Sequence, residues 1–122
     1  MQSHVKARTE SGVLVLTILE KRLAGEALCV ATRDELLLAV EQGVSKVVVD
    51  FQLVEYVSSV AFRTLLGLRR RVLEVGGRLV LCNLSPLVSE VFEASRLLIN
   101  THSPDSLFMQ QPNVPAAIAF LN

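Results

Sequence analysis

Neither sign of charge dominates this 122-residue sequence, in which 12 basic side chains are matched by 12 acidic ones. No overall field therefore draws in a polyanion or an anionic membrane, and direct nucleic-acid binding, which needs a basic face, is not expected. The run Arg69-Arg70-Arg71 does not supply such a face. A helix turns about 100° per residue, so three successive arginines fan around it as a solvated surface. Cysteine is scarce as well: Cys29 and Cys82 stand far apart, without CxxC spacing, each in an apolar pattern. Arithmetic alone leaves a disulfide open, but two buried free thiols in a cytosolic chain are the expected state. No apolar run approaches the roughly 20 residues that cross a bilayer. The opening MQSHVKARTESG has no apolar h-region, so a signal peptide is not expected and a cytoplasmic location is.

The signatures of catalysis are missing too. There is no G-x-G-x-x-G, no GxxxxGK[ST] loop and no Gly-x-Ser-x-Gly elbow around Ser58 or Ser59. His4 and His102 lie far apart, one near the terminus and one in a turn-forming cluster, and are expected to be exposed bystanders. No pair of carboxylates stands out. An enzyme, a cofactor and a metal site are accordingly not expected.

What is present is a chain that is 51% hydrophobic, which excludes disorder, and long enough to bury a core as one domain over residues 1–122. Its centre is Val47–Gly77, VVVDFQLVEYVSSVAFRTLLGLRRRVLEVGG. Val47–Asp50 reads as a strand buried on both faces. The connector Phe51–Val57 leads to Ser58-Ser59, and a helix follows in which Ala61, Leu65, Leu68, Val72 and Val75 recur at helical spacing. Gly76-Gly77 stops it, and Arg78–Cys82 forms the next strand.

Upstream, His4–Thr9 suits an edge strand, Glu10-Ser11-Gly12 a hairpin turn, and Val13–Leu19 a central strand. Glu20-Lys21-Arg22 should be exposed. Residues 25–42 turn helical, with Cys29, Leu36, Leu37 and Val40 on one face and Gly43 as the C-terminal cap. Downstream, Ser85-Pro86 opens a helix whose inward stripe is Leu87, Val88, Val91, Phe92 and Ser95. Leu97–Thr101 is a candidate last strand, 102–106 a turn, and Pro115–Leu121 a terminal helix docked on the sheet edge or on the first helix. The order β-β-α-β-α-β-α-(β)-α predicts an α/β fold, a mixed sheet covered by helices with parallel crossovers after an initial hairpin.

The one chemically suggestive feature is the helix start. Ser58 is placed as its N-cap, with the hydroxyl accepting from first-turn N–H groups. Ser59, at the first helical position, suits phosphorylation, because a phosphate there meets unpaired donors and the positive end of the helix dipole. The charge would land on a surface expected to comprise Phe51, Val54, Tyr56, Val57, Phe62 and Arg63 around the two serines, and would expel a partner docked there.

The joint spacing of VVVD, Ser58-Ser59-Val60-Ala61, Gly76-Gly77, RLVLCN and Ser85-Pro86 resembles the STAS domain, the fold of bacterial anti-sigma factor antagonists. The resemblance runs without gaps from Val47 to Phe92, and topology and length agree over nearly the whole chain. It implies that Ser59 is phosphorylated by an anti-sigma factor that is itself a serine kinase. It implies also that the unphosphorylated form binds that kinase and frees the sigma factor, and that a phosphatase resets the switch. The family's Asp-Ser-Ser/Thr-Gly is departed from at Ser58, Val60 and Ala61, and Glu20-Lys21-Arg22-Leu23 replaces its upstream turn. These departures sustain an alternative, a non-switching scaffold subunit of a stressosome-like assembly, in which the chain forms a homo-oligomer. A small-molecule carrier with a pocket between the first helix and the sheet is a third reading.

Overall fold

Alternation along each central strand decides which side chains meet which helices. The computed structural model describes residues 3–41, 43–95 and 108–122. Seven strands occur among them: β1 (Val5–Glu10), β2 (Val13–Ile18), β3 (Arg22–Leu23), β4 (Lys46–Asp50), β5 (Tyr56–Val57), β6 (Arg78–Cys82) and β7 (Met109–Gln111). The helices are α1 (Glu26–Val40), α2 (Ser59–Glu74), α3 (Pro86–Ala94) and α4 (Val114–Leu121). The main sheet has the order β1-β2-β4-β6-β7, with β1 antiparallel to β2 and the other neighbours parallel. This is the expected mixed sheet covered by helices.

On one face Leu14, Leu16, Ile18, Val47, Val49, Leu79 and Leu81 pack with α1, α2 and α3. On the other, Val13, Val15, Val48, Val80 and Cys82 pack under α4 through Val114, Ala117, Ile118 and Leu121. The terminal helix therefore covers the back of the sheet; it was expected at the edge or on α1. Side chains two apart share a face, and a strand buried on both sides needs a cover for each. Cys29 and Cys82 are buried free thiols, as expected.

Glycines make the turns. Ser11 and Gly12 both have positive φ, 52° and 77°, which matches the twist of the β1–β2 hairpin. After α2, Gly76 takes φ 75°, and a Cβ on Gly77 would stand 2.8 Å from the Ser45 carbonyl oxygen. The pair therefore both ends the helix and admits the close passage into β6.

Several expected positions move. Val75 is the C-cap of α2 and exposed, because the helix ends a residue earlier. Leu87 is 53% exposed and Ser95 is the exposed C-cap of α3, so its inward stripe reduces to Val88 and Phe92 with Val91 half-buried. Leu37 is likewise only half-buried. His4 is not an exposed bystander: its Nδ1 lies 2.6 Å from Glu20 Oε1. The expected strand 97–101, the turn 102–106 and His102 lie outside the described residues, and β7 is an edge strand that was not foreseen. Among the described residues, no helix is long and apolar enough to cross a membrane, and no cluster of metal-ligating side chains occurs.

Candidate functional site at the start of helix α2

Two-residue strands set the site. Arg22 and Leu23 of β3 lie parallel to Tyr56 and Val57 of β5. The N–H groups of Glu55 and Tyr56 donate to the Lys21 carbonyl at 2.7 and 3.1 Å, and Ser58 N–H donates to the Leu23 carbonyl at 3.1 Å. The segments feeding α1 and α2 are thus stitched together, and the two helices begin side by side.

The loop before α2 is held from below. Asp50, 3% exposed at the end of β4, accepts from Gln52 N–H at 3.0 Å and Asn83 Nδ2 at 2.9 Å, with Thr17 Oγ1 at 3.4 Å. A buried carboxylate is tolerated because these donors replace its water. Burial first, and then the negative charge of Asp50, push the neighbouring Cys82 thiol up to about 12, so it stays protonated. Phe51, Val54 and Val57 turn inward and are essentially fully buried. They were expected on a partner-facing surface; they are core, because this short loop folds over the sheet and its apolar side chains find Phe92 and the β-face beneath. Phe92 gathers Phe51, Phe62 and Phe108 in edge-to-face contacts with centroids at 6.0, 5.1 and 6.1 Å.

What remains outside is smaller than expected. Ser59 and Arg63 are exposed, while Tyr56 and Phe62 are half-buried, Tyr56 beneath the Arg22 guanidinium at 4.6 Å from the ring centroid. Leu53, in the same loop, is also exposed and was not singled out from the sequence, where one leucine in an apolar loop looks no different from its buried neighbours.

Ser58 has the extended backbone of an N-cap, φ −95° and ψ 169°, and its carbonyl accepts from Ala61 N–H at 3.0 Å. Its hydroxyl makes no capping bond and is buried without a partner, contrary to the expected role. The first turn of α2 also holds no acidic side chain. Apart from Ala61 N–H, the first-turn donors that a helix cannot satisfy internally therefore have no side-chain acceptor here.

A cleft of about 80 Å³ opens between the starts of α1 and α2, lined by residues including Glu26, Cys29, Arg33, Val60, Arg63 and Thr64. Thr64 Oγ1 donates to the Cys29 carbonyl at 2.9 Å across it. Burial pushes the Cys29 thiol up, more than Thr64 and the Arg63 charge pull it down, so it too is neutral.

The model of the family described as STAS domain matches residues 4–104 of this chain. BtrV of Bordetella bronchiseptica, a protein assigned as an anti-sigma factor antagonist, is 42% identical over 64 residues, 52% of this chain and 55% of BtrV, so the match spans about half the length of that relative. The structure of an anti-sigma-factor antagonist (STAS) domain protein from Planctomyces limnophilus superposes with a TM-score of 0.81 over the whole of both chains at 20% identity. The Bacillus cell fate determinant SpoIIAA in its phosphorylated form superposes with a TM-score of 0.67, covering 97% of this chain and 99% of its own, also at 20% identity. The sheet order, the serine-bearing start of α2 and the family match over most of the sequence lead to one assignment: this chain belongs to the STAS domain family.

Proposed function

We propose that the protein is an anti-sigma factor antagonist: a regulatory binding protein, not an enzyme, that holds an anti-sigma factor serine kinase at the start of α2 and releases it when Ser59 is phosphorylated. A phosphatase would reset the switch, and the cycle would run in the cytoplasm. The observation that carries this reading is an exposed Ser59 on a helix start with no side-chain cap and no acidic residue in its first turn. A phosphate there meets free donors and disturbs none of the buried framework below. The same phosphate brings close to two negative charges to a helix start whose exposed or half-exposed neighbours in sequence are Leu53, Tyr56, Phe62 and Arg63. A docked apolar surface cannot solvate that charge, so the complex separates. The names borne by BtrV and the Planctomyces protein, and the phosphorylated state in which SpoIIAA was solved, support the same reading.

Calorimetry against the serine-kinase partner tests it. Wild type and Ser59→Ala should bind comparably, and Ser59→Asp should bind at least about 30-fold more weakly, roughly 2 kcal/mol, without loss of fold. Equal affinity of the aspartate variant would overturn the switch and leave the scaffold reading, for which a large discrete oligomer by light scattering would be the evidence.

A further inference from the structure

Ser59 opens the helix whose next residues, Val60, Arg63 and Thr64, form one wall of the α1–α2 cleft. Nearly the same sequence offset that sets Leu23 opposite Val57 also sets Cys29 beside Thr64 and Arg33 beside Gly67. Helices α1 and α2 therefore run alongside each other in matched register from their starts. On α2, Ser59, Arg63 and Gly67 follow at four-residue spacing and share one face. The Arg33 stem crosses at Gly67, where an added Cβ would sit 3.7 Å from its Cδ. Helical side chains as a rule lean toward their own N-terminus, which on α2 is the end that carries Ser59.

The two arginines line one cleft, and neither is fully engaged. Arg33 Nε is shut away from solvent without a partner, while its terminal nitrogen reaches Asp34 only at 3.5 Å. Arg63 makes no ion pair among the described residues. The Arg33 side chain is 43% exposed overall, so its outer nitrogens remain open, and an anion is the partner a guanidinium prefers. The opposing charges are Glu26 at the α1 start and Asp34 beyond Arg33; the Cys29 thiol adds none, being neutral. The helix starts agree: α3 and α4 are capped by Ser85 and Asn113 side chains, whereas α1 and α2, the pair that meets at this cleft, have no side-chain cap.

We infer that the mouth of the α1–α2 cleft is a receptor in cis for the phosphate on Ser59, with Arg63 as its first cation and Arg33 completing it, so that phosphorylation fastens α2 to α1. The inference rests on Ser59 being the modified residue. On this account the modification does more than place charge at the start of α2. It withdraws Arg63 from the partner and ties down both helix starts.

The test uses full-length protein with phosphoserine installed at position 59 by codon suppression, read by phosphorus NMR titration. An ordinary phosphoserine has its second ionisation near pH ~6. The receptor predicts that this value falls by about one unit. It also predicts that Arg63→Gln abolishes most of the shift, Arg33→Gln a smaller part, and Arg63→Lys little of it. The unmodified variants are checked for an unchanged melting temperature first. An unshifted titration overturns the receptor. So does a shift that survives both glutamine variants, because it assigns the effect to the helix start alone. Installing the phosphate synthetically keeps this separate from the switch: should no host kinase modify Ser59, or should binding ignore it, the titration still decides the receptor.

Discussion

Two helices in this protein begin with a serine followed by an apolar stripe, and the two serines behave differently. Ser85, before α3, turns its hydroxyl to Val88 N–H at 3.2 Å, with Pro86 at the first helical position. Ser58, before α2, has the same extended backbone but a hydroxyl without a partner, and the residue after it is an exposed serine in place of a proline. At α3 the serine side chain serves a first-turn donor. At α2 Ala61 N–H is met by the Ser58 carbonyl alone, with no side-chain acceptor, and the exposed Ser59 hydroxyl stands at that start. The comparison separates a helix start closed by its own side chain from one that is not.

The largest effect on stability should come from the other uncapped start. Gly25, before α1, has φ 84° and ψ 143°, a region essentially reserved for glycine. Gly25→Ala should destabilise by about 1–3 kcal/mol in urea unfolding, although nothing lies within 4 Å of the added Cβ. A neutral result would mean that the start of α1 readily takes another backbone form. Next, Ser85→Ala should cost about 1 kcal/mol through loss of its cap. Ser58→Ala should change stability by less than about 0.5 kcal/mol, or raise it, since it removes a buried hydroxyl that bonds to nothing. Equal losses at the two serines would erase the distinction drawn above.

The smallest effect concerns a third element start. Glu35 on α1 accepts from Ser3 Oγ at 2.7 Å and from the N–H groups of His4 and Val5 at the head of β1. Burial alone would raise its carboxyl, but these bonds and the His4 charge outweigh it and hold the group below its ordinary value of 4.5. A carboxylate so held stabilises the folded state above the unfolded pKa, and the contribution disappears as pH falls through the folded one. The stability difference between wild type and Glu35→Gln should therefore be constant near neutrality and shrink below pH 4.5. A difference independent of pH would show that the charge on Glu35 contributes nothing.

Much of this architecture was legible from periodicity. The apolar runs at Val13–Ile18, Lys46–Asp50 and Arg78–Cys82 are long enough for their pattern to identify strands, and Gly76-Gly77 marks the end of α2. Strands β3 and β5 were not legible, because two residues carry no period and their pairing is purely tertiary. The same limit explains the site. Ser59 follows from its place at a helix start, but Phe51, Val54 and Val57 were assigned outward because connectors are usually at the surface. Only the three-dimensional path of the loop shows that they are core. Arg33 was invisible for a similar reason: it lies far from Ser59 in sequence and reaches the cleft only through the register of α1 against α2.

The central claim is that Ser59 carries the switch, and the most direct measurement is the intact mass of the protein isolated from its native host, with peptide mapping, under growth and under stress. The account predicts a fraction heavier by one phosphate, with the modification on the peptide containing Ser59 and a ratio that changes between the two conditions. A protein unmodified at Ser59 under both conditions would contradict it.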